Sequence, residues 1–369
     1  MNNEKTYQIC TRCVMDTSDP EITFDQDGVC NHCTDLLTRR KALGDENAKK
    51  NKLDALVESV KKAGKGKDYD CIVGVSGGID STFIALRCKD LGLRPLALHF
   101  DNGWNSELAV NNIENAIKKL GIDLYTHVMD WGVFRSLHLA FLRAGTPDIE
   151  APTDHGQRAC GLKIAAKNGI RHILIGNNLS TEGILPRSWA YGNSDWRYIR
   201  SVHRRFLGES LQGYPHYSLF GMAYNTLIRR TERVQILDLL SYNKQNALDE
   251  LKSRLGYREY PGKHYESIFT RFFQGYILPK RFGYDKRRAH MSVLILSGEL
   301  QRDEALQQLK SPPYDQALIK EDEIYVRKKL GLDDKEWSRI MEQPLRTSDD
   351  YPNSKGIHRK LSRLYKLIQ

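Results

Sequence analysis

No apolar run in this 369-residue sequence approaches the ~18 to 20 residues that span a bilayer, so no membrane helix is expected. Acidic residues are outnumbered: 46 Asp plus Glu stand against 56 Lys plus Arg, a net charge of +10. That balance suits a polyanionic partner such as RNA, a nucleotide or a sugar nucleotide, without choosing among them. Cysteine is sparse beyond residue 33. Four of the seven lie before that point, and Cys71, Cys88 and Cys160 are scattered. An odd, uneven set argues against a disulfide framework. Residues 1–6 lead into cysteines, not into an apolar stretch with a cleavage site, so the expectation is a cytoplasmic protein without a membrane partner. Also missing is the Gly-x-x-x-x-Gly-Lys-Ser/Thr of a Walker A loop, which leaves any phosphate binding to other glycines.

What is present begins with two Cys-x-x-Cys pairs, Cys10 with Cys13 and Cys30 with Cys33, separated by sixteen residues. The spacing predicts a four-thiolate structural zinc ribbon, with turns at residues 19–20 and 25–28 around a short strand at 22–24. A pair of redox dithiols is the alternative, but no thioredoxin-like pattern surrounds them. His32 reads as a bystander beside four thiolates. A Lys-rich stretch with Leu53, Leu56, Val57 and Val60 at helical spacing follows, and ends in a Gly-Lys-Gly-Lys breaker.

From Tyr69 short apolar runs alternate with amphipathic stretches: strands at 71–75, 96–100, 124–129 and 173–175, with helices over 81–91 and through Ile113, Ala116, Ile117 and Leu120. This alternation predicts an α/β doubly wound parallel sheet whose ligands sit at the carboxyl ends of the strands. The first such end reads Ser76-Gly77-Gly78-Ile79-Asp80-Ser81, where two glycines bring backbone N–H groups and a helix N-terminus to a phosphate. Asp80 is also placed to help hold Mg2+. Asp101 and Asn102 end the second strand, and Gly176 and Asn177 the fourth. Each is a nucleotide contact or a polar turn.

Residues 189–219 mix aromatics with Arg and His and lack a clear period, so they either stack on a ligand or pack an interface. Residues 262–290 are denser in His, Glu, Lys, Arg and aromatics. Helical spacing places Ile268, Phe272 and Tyr276 inward and leaves His264, Glu266, Arg271, Lys280, Lys286 and Arg287 as polar candidates around an anion. An amphipathic helix with a basic solvent face is the other reading.

Taken together, the ribbon, residues 76–81, 99–103, 181–189 and above all 263–290 resemble the N-acetyl sugar amidotransferase family, the WbpG-like and PseA-like proteins, within the PP-loop ATP pyrophosphatase superfamily. The likeness runs from about residue 7 to the Ser-Pro-Pro-Tyr-Asp at 311–315, and fits less well around 157–161. It implies a HUP-like fold and ATP with Mg2+ as cofactor. It also implies adenylation of the amide oxygen of a nucleotide-linked N-acetyl sugar, then displacement of AMP by ammonia to give an acetamidino group. The setting implied is bacterial O-antigen or flagellin sugar biosynthesis. On that reading Ser76, Gly77, Gly78, Asp80 and Ser81 hold pyrophosphate, with Asp101, Asn102, Gly176 and Asn177 at the nucleotide. Lys280, Lys286 and Arg287 stabilise phosphate charge, and His264 or Glu266 accepts a proton. The resemblance implies a separate glutaminase subunit and a barrel-like subunit supplying ammonia, since Cys160 alone has no recognisable nucleophile setting. Expected segments are a ribbon at 1–40, a helical linker at 41–67, the PP-loop domain at 68–240 and a basic helical region at 241–369. A tRNA-modifying PP-loop enzyme is the alternative, disfavoured because sulfur insertion calls for paired cysteines or a cluster; nucleic acid is not the expected partner.

Overall fold

The computed structural model describes residues 6–262 and 264–357. Lys263, part of the 263–290 motif, and the basic tail from 358 lie outside the described residues. Strands β1 (Cys71–Gly74), β2 (Pro95–Asp101), β3 (Leu124–Val128), β4 (His172–Leu174) and β5 (Glu232–Val234) form one parallel sheet in the order β3-β2-β1-β4-β5. Side chains alternate across it. Ile72, Leu96, Leu98 and Ile173 enter one core, while Cys71, Val73, Ala97 and Leu174 enter the other. Helices α3 (Ile79–Asp90) and α4 (Glu107–Leu120) help build the second core; α5 (Trp131–Ala144) and α6 (Ala151–Lys167) help build the first. The doubly wound sheet expected from the alternation is therefore present. The first four strands fall within about two residues of their expected limits, and β5 adds an edge strand before a short 3-10 turn at Ile236–Asp238. Because β1 lies between β2 and β4, the winding reverses at the β1/β4 boundary, and a crevice opens at the carboxyl ends of these two strands.

The amino-terminal module has isolated bridges, Ile9 with Asp16 and Phe24 with Cys30, where a short strand was expected. Its second knuckle runs directly into α1 (Asn31–Leu43), and α2 (Glu46–Ala63) continues the chain to the sheet. Residues 189–219 contain a helix the sequence reading missed, α7 (Trp196–Phe206). Asp195 caps it through Tyr198 N at 3.1 Å, and Tyr198, Ile199, Val202 and His203 form its buried face. Trp189, Tyr198, Tyr214 and Tyr217 are buried, so much of this aromatic segment packs the interior.

Helices Lys244–Leu255, Ile268–Phe272, Lys286–Leu296, Arg302–Gln308, Gln316–Leu330 and Asp334–Glu342 make the carboxy-terminal region helical. One expectation is corrected here. The inward face of Ile268–Phe272 and its continuation runs through Phe269, Phe272, Phe273 and Ile277, whereas Ile268 and Tyr276 are only half-buried. For Tyr276 the cause is a change of winding. From Phe273 to Phe282 the helix is a π-helix with Pro279 inside it, and i to i+5 bonding rotates residues away from a 3.6-residue pattern. Among the described residues no helix is long and apolar enough to cross a membrane.

Candidate active site and zinc centre

The turn after β1 is built around Gly77. Its φ is +82°, and a Cβ there would lie 2.7 Å from the carbonyl oxygen of Ala109 and 2.9 Å from its Cα. No other residue fits this approach of loop to α4. The Gly77 carbonyl accepts from the hydroxyls of Tyr257 (2.9 Å) and Tyr260 (3.0 Å), which fixes the peptide orientation. Ser76 N donates to Ser81 Oγ at 3.2 Å, and Gly78 N to Ser76 Oγ at 3.3 Å, closing the loop over the start of α3. Gly78 is the N-cap of that helix and brings no side chain, so the first-turn N–H groups face the crevice.

Asp80 stands in the first turn, held by the Tyr242 hydroxyl, Thr181 Oγ1 (3.2 Å) and Asn178 Nδ2 (3.3 Å). Burial, and then the Asp80 charge beside it, push the Tyr242 hydroxyl well above its usual range, so it stays a donor. The loop after β4 closes the other side. Gly176 leaves only 3.5 Å between an added Cβ and Asp80 Cβ, and Asn177 donates to Glu182 at 3.0 Å.

Around this turn lies a cavity of about 690 Å3 reached by Ser76, Gly78, Asp80, Ser81, Gly176 and Asn177. It adjoins a second of about 380 Å3, and the two share Ser76, Asp154, Gln157, Asn177, Glu182, His264 and Glu266. A third of about 510 Å3 continues past His264, Gln274, Lys286 and His290. Glu266 lies beside the 76–81 turn, its carboxyl 3.8 Å from where a Gly78 Cβ would be, and 3.4 Å from His264 Nδ1. His264 has φ +64°, an uncommon value for a residue with a side chain, at a point where three cavities meet.

The other sequence candidates divide. Lys286 lines the second and third cavities and Arg287 the third, although the Arg287 guanidinium is already forked onto Asp285 at 2.7 and 3.1 Å. Lys280 is exposed and donates to the Tyr276 hydroxyl at 2.7 Å; it lines none of these cavities. Asn102 reaches the second cavity, while Asp101 accepts from Gly103 N (2.9 Å) and Asn105 (3.0 Å) within its own loop. Phe100 lines the second cavity, and Trp104 is buried against His138 and Phe269. Arg271 pairs with Asp322 through two 2.8 Å bonds, and both are largely buried. The pair braces Ile268–Phe272 against Gln316–Leu330, and Arg271 also lines the third cavity. Arg271→Ala is expected to destabilise the protein by about 3 kcal/mol in urea unfolding, because it leaves a buried carboxylate unpaired.

Sequence reasoning missed Asp154 and Gln157. Both sit on α6 and face the shared wall of the first two cavities, and Glu150 lines the second. Arg158 and Arg233 line the first cavity as well. Asp154 is exposed to the cavity, yet the protein atoms crowded around its carboxyl, followed by the Glu150 charge, raise it to about 6, against the pull of Lys286, Asn193 and Arg233. Cys71, Cys88 and Cys160 are all buried, and burial pushes the Cys160 thiol up to about 11, far from a ready nucleophile.

The four amino-terminal cysteines converge. Their Sγ atoms lie within 4.8 Å of one another, with separations of 3.7 to 3.8 Å for Cys10–Cys33, Cys13–Cys30 and Cys30–Cys33. A tetrahedral zinc with Zn–S ~2.3 Å has sulfur–sulfur edges of about 3.8 Å, so the set fits Zn2+ without rearrangement. Backbone N–H groups of Arg12, Cys13 and Cys30 point at Cys10 Sγ from 3.2 to 3.4 Å, as thiolates require. His32 is turned away to Asp19 at 2.7 Å. The module is clasped to the cavity wall. Arg302 donates to the carbonyls of Cys10 and Cys13, Arg288 to that of Val14, and Val14 N donates to Ser292 Oγ.

Residues 266–365 match the family described as LPS biosynthesis protein WbpG-like, C-terminal domain. Over these residues the chain is similar to that family. This bears out the resemblance read from residues 263–290. The WbpG-like segment supplies Glu266, Ser267, Thr270, Gln274, Lys286 and His290 to the second cavity. No curated protein matches the sequence. Among solved structures, the NMN synthetase of Francisella tularensis aligns at 15% identity and TM-score 0.37, over 78% of this chain and 97% of that one. The NH3-dependent NAD synthetase of Campylobacter jejuni aligns at 15% identity and TM-score 0.30, over 57% and 94%. A predicted tRNA methyltransferase subunit of Methanocaldococcus jannaschii aligns at 16% identity and TM-score 0.28, over 50% and 73%.

Proposed function

We propose that this protein is an ATP-dependent amidotransferase that converts the N-acetyl group of a nucleotide-linked sugar into an acetamidino group. One observation carries the reading: the phosphate-cradling turn at 76–81 and the WbpG-like segment wall a continuous pair of cavities. ATP occupies the first, with its leaving pyrophosphate over the α3 N-terminus, where first-turn N–H groups stabilise the charge that develops. Asp80 and Glu182 would hold Mg2+ among the phosphate oxygens. The acetamido group enters from the second cavity. Its oxygen attacks the α-phosphorus, the bond to pyrophosphate breaks, and an O-adenylyl imidate forms. The activation is needed because an amide oxygen is a poor leaving group, whereas AMP is a good one. Ammonia then displaces AMP. Lys286, at the border of the second and third cavities, offsets anionic charge on the carrier side of the sugar. The zinc set is closed by four protein thiolates, so it organises structure and leaves no position for substrate.

Ammonia comes from a partner, a glutaminase subunit with a barrel-like subunit, in this reading; the buried Cys160 supports it. Incubation with ATP, Mg2+, ammonium and a UDP-diacetamido sugar is expected to give AMP and a product lighter by the difference between an oxygen atom and an NH group. AMP release that requires tRNA and ignores the sugar would favour a tRNA-modifying enzyme instead.

A further inference from the structure

A nucleotide-linked sugar is larger than the cavity that receives its acetamido group. The second cavity, about 380 Å3, stands near the low end of the about 300 to 1,000 Å3 that enclose whole ligands, so it seats a sugar with its acetamido arms and little more. The nucleotide has to lie beyond it. ATP takes the first cavity, over the 76–81 turn, which leaves the third, of about 510 Å3, joined to the second through His264, Gln274, Lys286 and His290. This third cavity has its own origin. Every described residue that lines it falls between 261 and 316, and neither the sheet nor the 76–81 turn contributes.

Among the described residues, three Lys and Arg side chains reach it, and two are already engaged: Arg271 by Asp322 and Arg287 by Asp285. Lys286 is not. It is half-buried, and among the described residues it makes no hydrogen bond and no ion pair. An ammonium kept partly out of water without a counter-ion costs free energy that an anionic ligand offsets. Elsewhere the wall includes Pro312, Pro313 and the rings of Tyr265 and Tyr314. The two rings meet edge to face at 5.9 Å, and a Cβ on Gly275 would stand 2.9 Å from Tyr314 Cγ, so Tyr314 is seated directly on the backbone at Gly275. A wall fixed in this way gives a planar base a surface to pack on without ordering it first. We propose that the third cavity holds the nucleoside diphosphate half of the acceptor, with Lys286 on the diphosphate and the base against the two tyrosines and two prolines. This assignment rests on the amidotransferase reading and locates the part of the acceptor that takes no part in the chemistry.

UDP is the probe, added to the full chain after α,β-methylene-ATP, which cannot release pyrophosphate, has filled the first cavity. Titration calorimetry is expected to show one UDP per chain, displaced competitively by the UDP-diacetamido sugar. Lys286→Gln should weaken UDP by about 10-fold, the worth of one hydrogen bond to a charged group, and Lys286→Arg should restore most of it. Gln316 is exposed and, of the three cavities, lines the third alone, so Gln316→Trp narrows that cavity. In kcat/KM this variant should cut the preference for the UDP sugar over the same sugar 1-phosphate by about 10-fold, which a merely structural role would not move. UDP that fails to bind, that binds without competing with the UDP sugar or that is not weakened by Lys286→Gln overturns the assignment, as does a preference untouched by Gln316→Trp. A wild-type protein that forms no AMP in response to the UDP sugar overturns the amidotransferase reading, and the assignment with it.

Discussion

Gly77→Ala is expected to lower AMP formation by about 100-fold while the protein still folds. A left-handed φ costs an L-residue roughly 1 to 2 kcal/mol, and the native value is +82°. The larger effect is steric. The new Cβ would sit 2.7 Å from Ala109 O and 2.9 Å from Ala109 Cα, both backbone atoms of α4, so no side chain can swing aside. The loop itself has to move. Displacing positioned groups by ~1 Å costs on the order of 10²-fold in rate, and here the groups are the N–H donors of the turn and the Ser76 and Ser81 hydroxyls. Coupled measurement of AMP release and thermal melting checks this. Turnover close to wild type would show that the turn does not hold the leaving group.

Loss of the zinc centre is expected to have the other large effect, and to reach the chemistry. Cys30 Sγ stands 3.7 Å from both Cys13 and Cys33 Sγ, so Cys30→Ser removes a ligand from the middle of the set. Structural zinc contributes about 10 to 16 kcal/mol in isolated zinc modules, which is more than a typical domain has in reserve. A ribbon detached from the site would lose zinc and stability without touching the chemistry. The structure couples the two. Arg302, Arg288 and Ser292 tie the carbonyls and amides of the first knuckle to the helix Lys286–Leu296 and its neighbour, and Lys286, Ala289 and His290 of that helix line the acceptor cavity. Arg40 of α1 reaches the carbonyls of Leu179 and Leu296 as well. Chelation or Cys30→Ser should therefore remove one zinc per chain, lower the melting temperature and depress amidine formation together. Metal analysis on the same samples checks it. Full activity in a zinc-free protein would sever the link.

Features with a local cause were legible in the sequence. The Cys-x-x-Cys spacing, the apolar runs of β1 and β2, and the glycines of the first strand end each depend on neighbours a few residues away. What stayed hidden depends on distant chain segments. Asp154 and Gln157 look like solvent residues of α6, and they are exposed, but the convergence of the 76–81 turn and the 264–290 segment makes their surface a cavity wall. Asp101 shows the converse: a carboxylate at a strand end that looks like a ligand contact, yet serves its own turn through Gly103 and Asn105. Lys280 was a candidate by its charge in a dense polar segment, and it stands exposed, clear of the three cavities. Helix α7 had a usable signal, the Asp195 cap followed by apolar residues four apart, obscured by the arginines between them.

The central claim is that the acceptor's amide oxygen attacks ATP in the cavity over the 76–81 turn. The most direct measurement follows that oxygen. With heavy oxygen in the acetamido group of the sugar nucleotide, the account predicts AMP that carries the label and an amidine that has lost it. Unlabelled AMP formed alongside the amidine would contradict it.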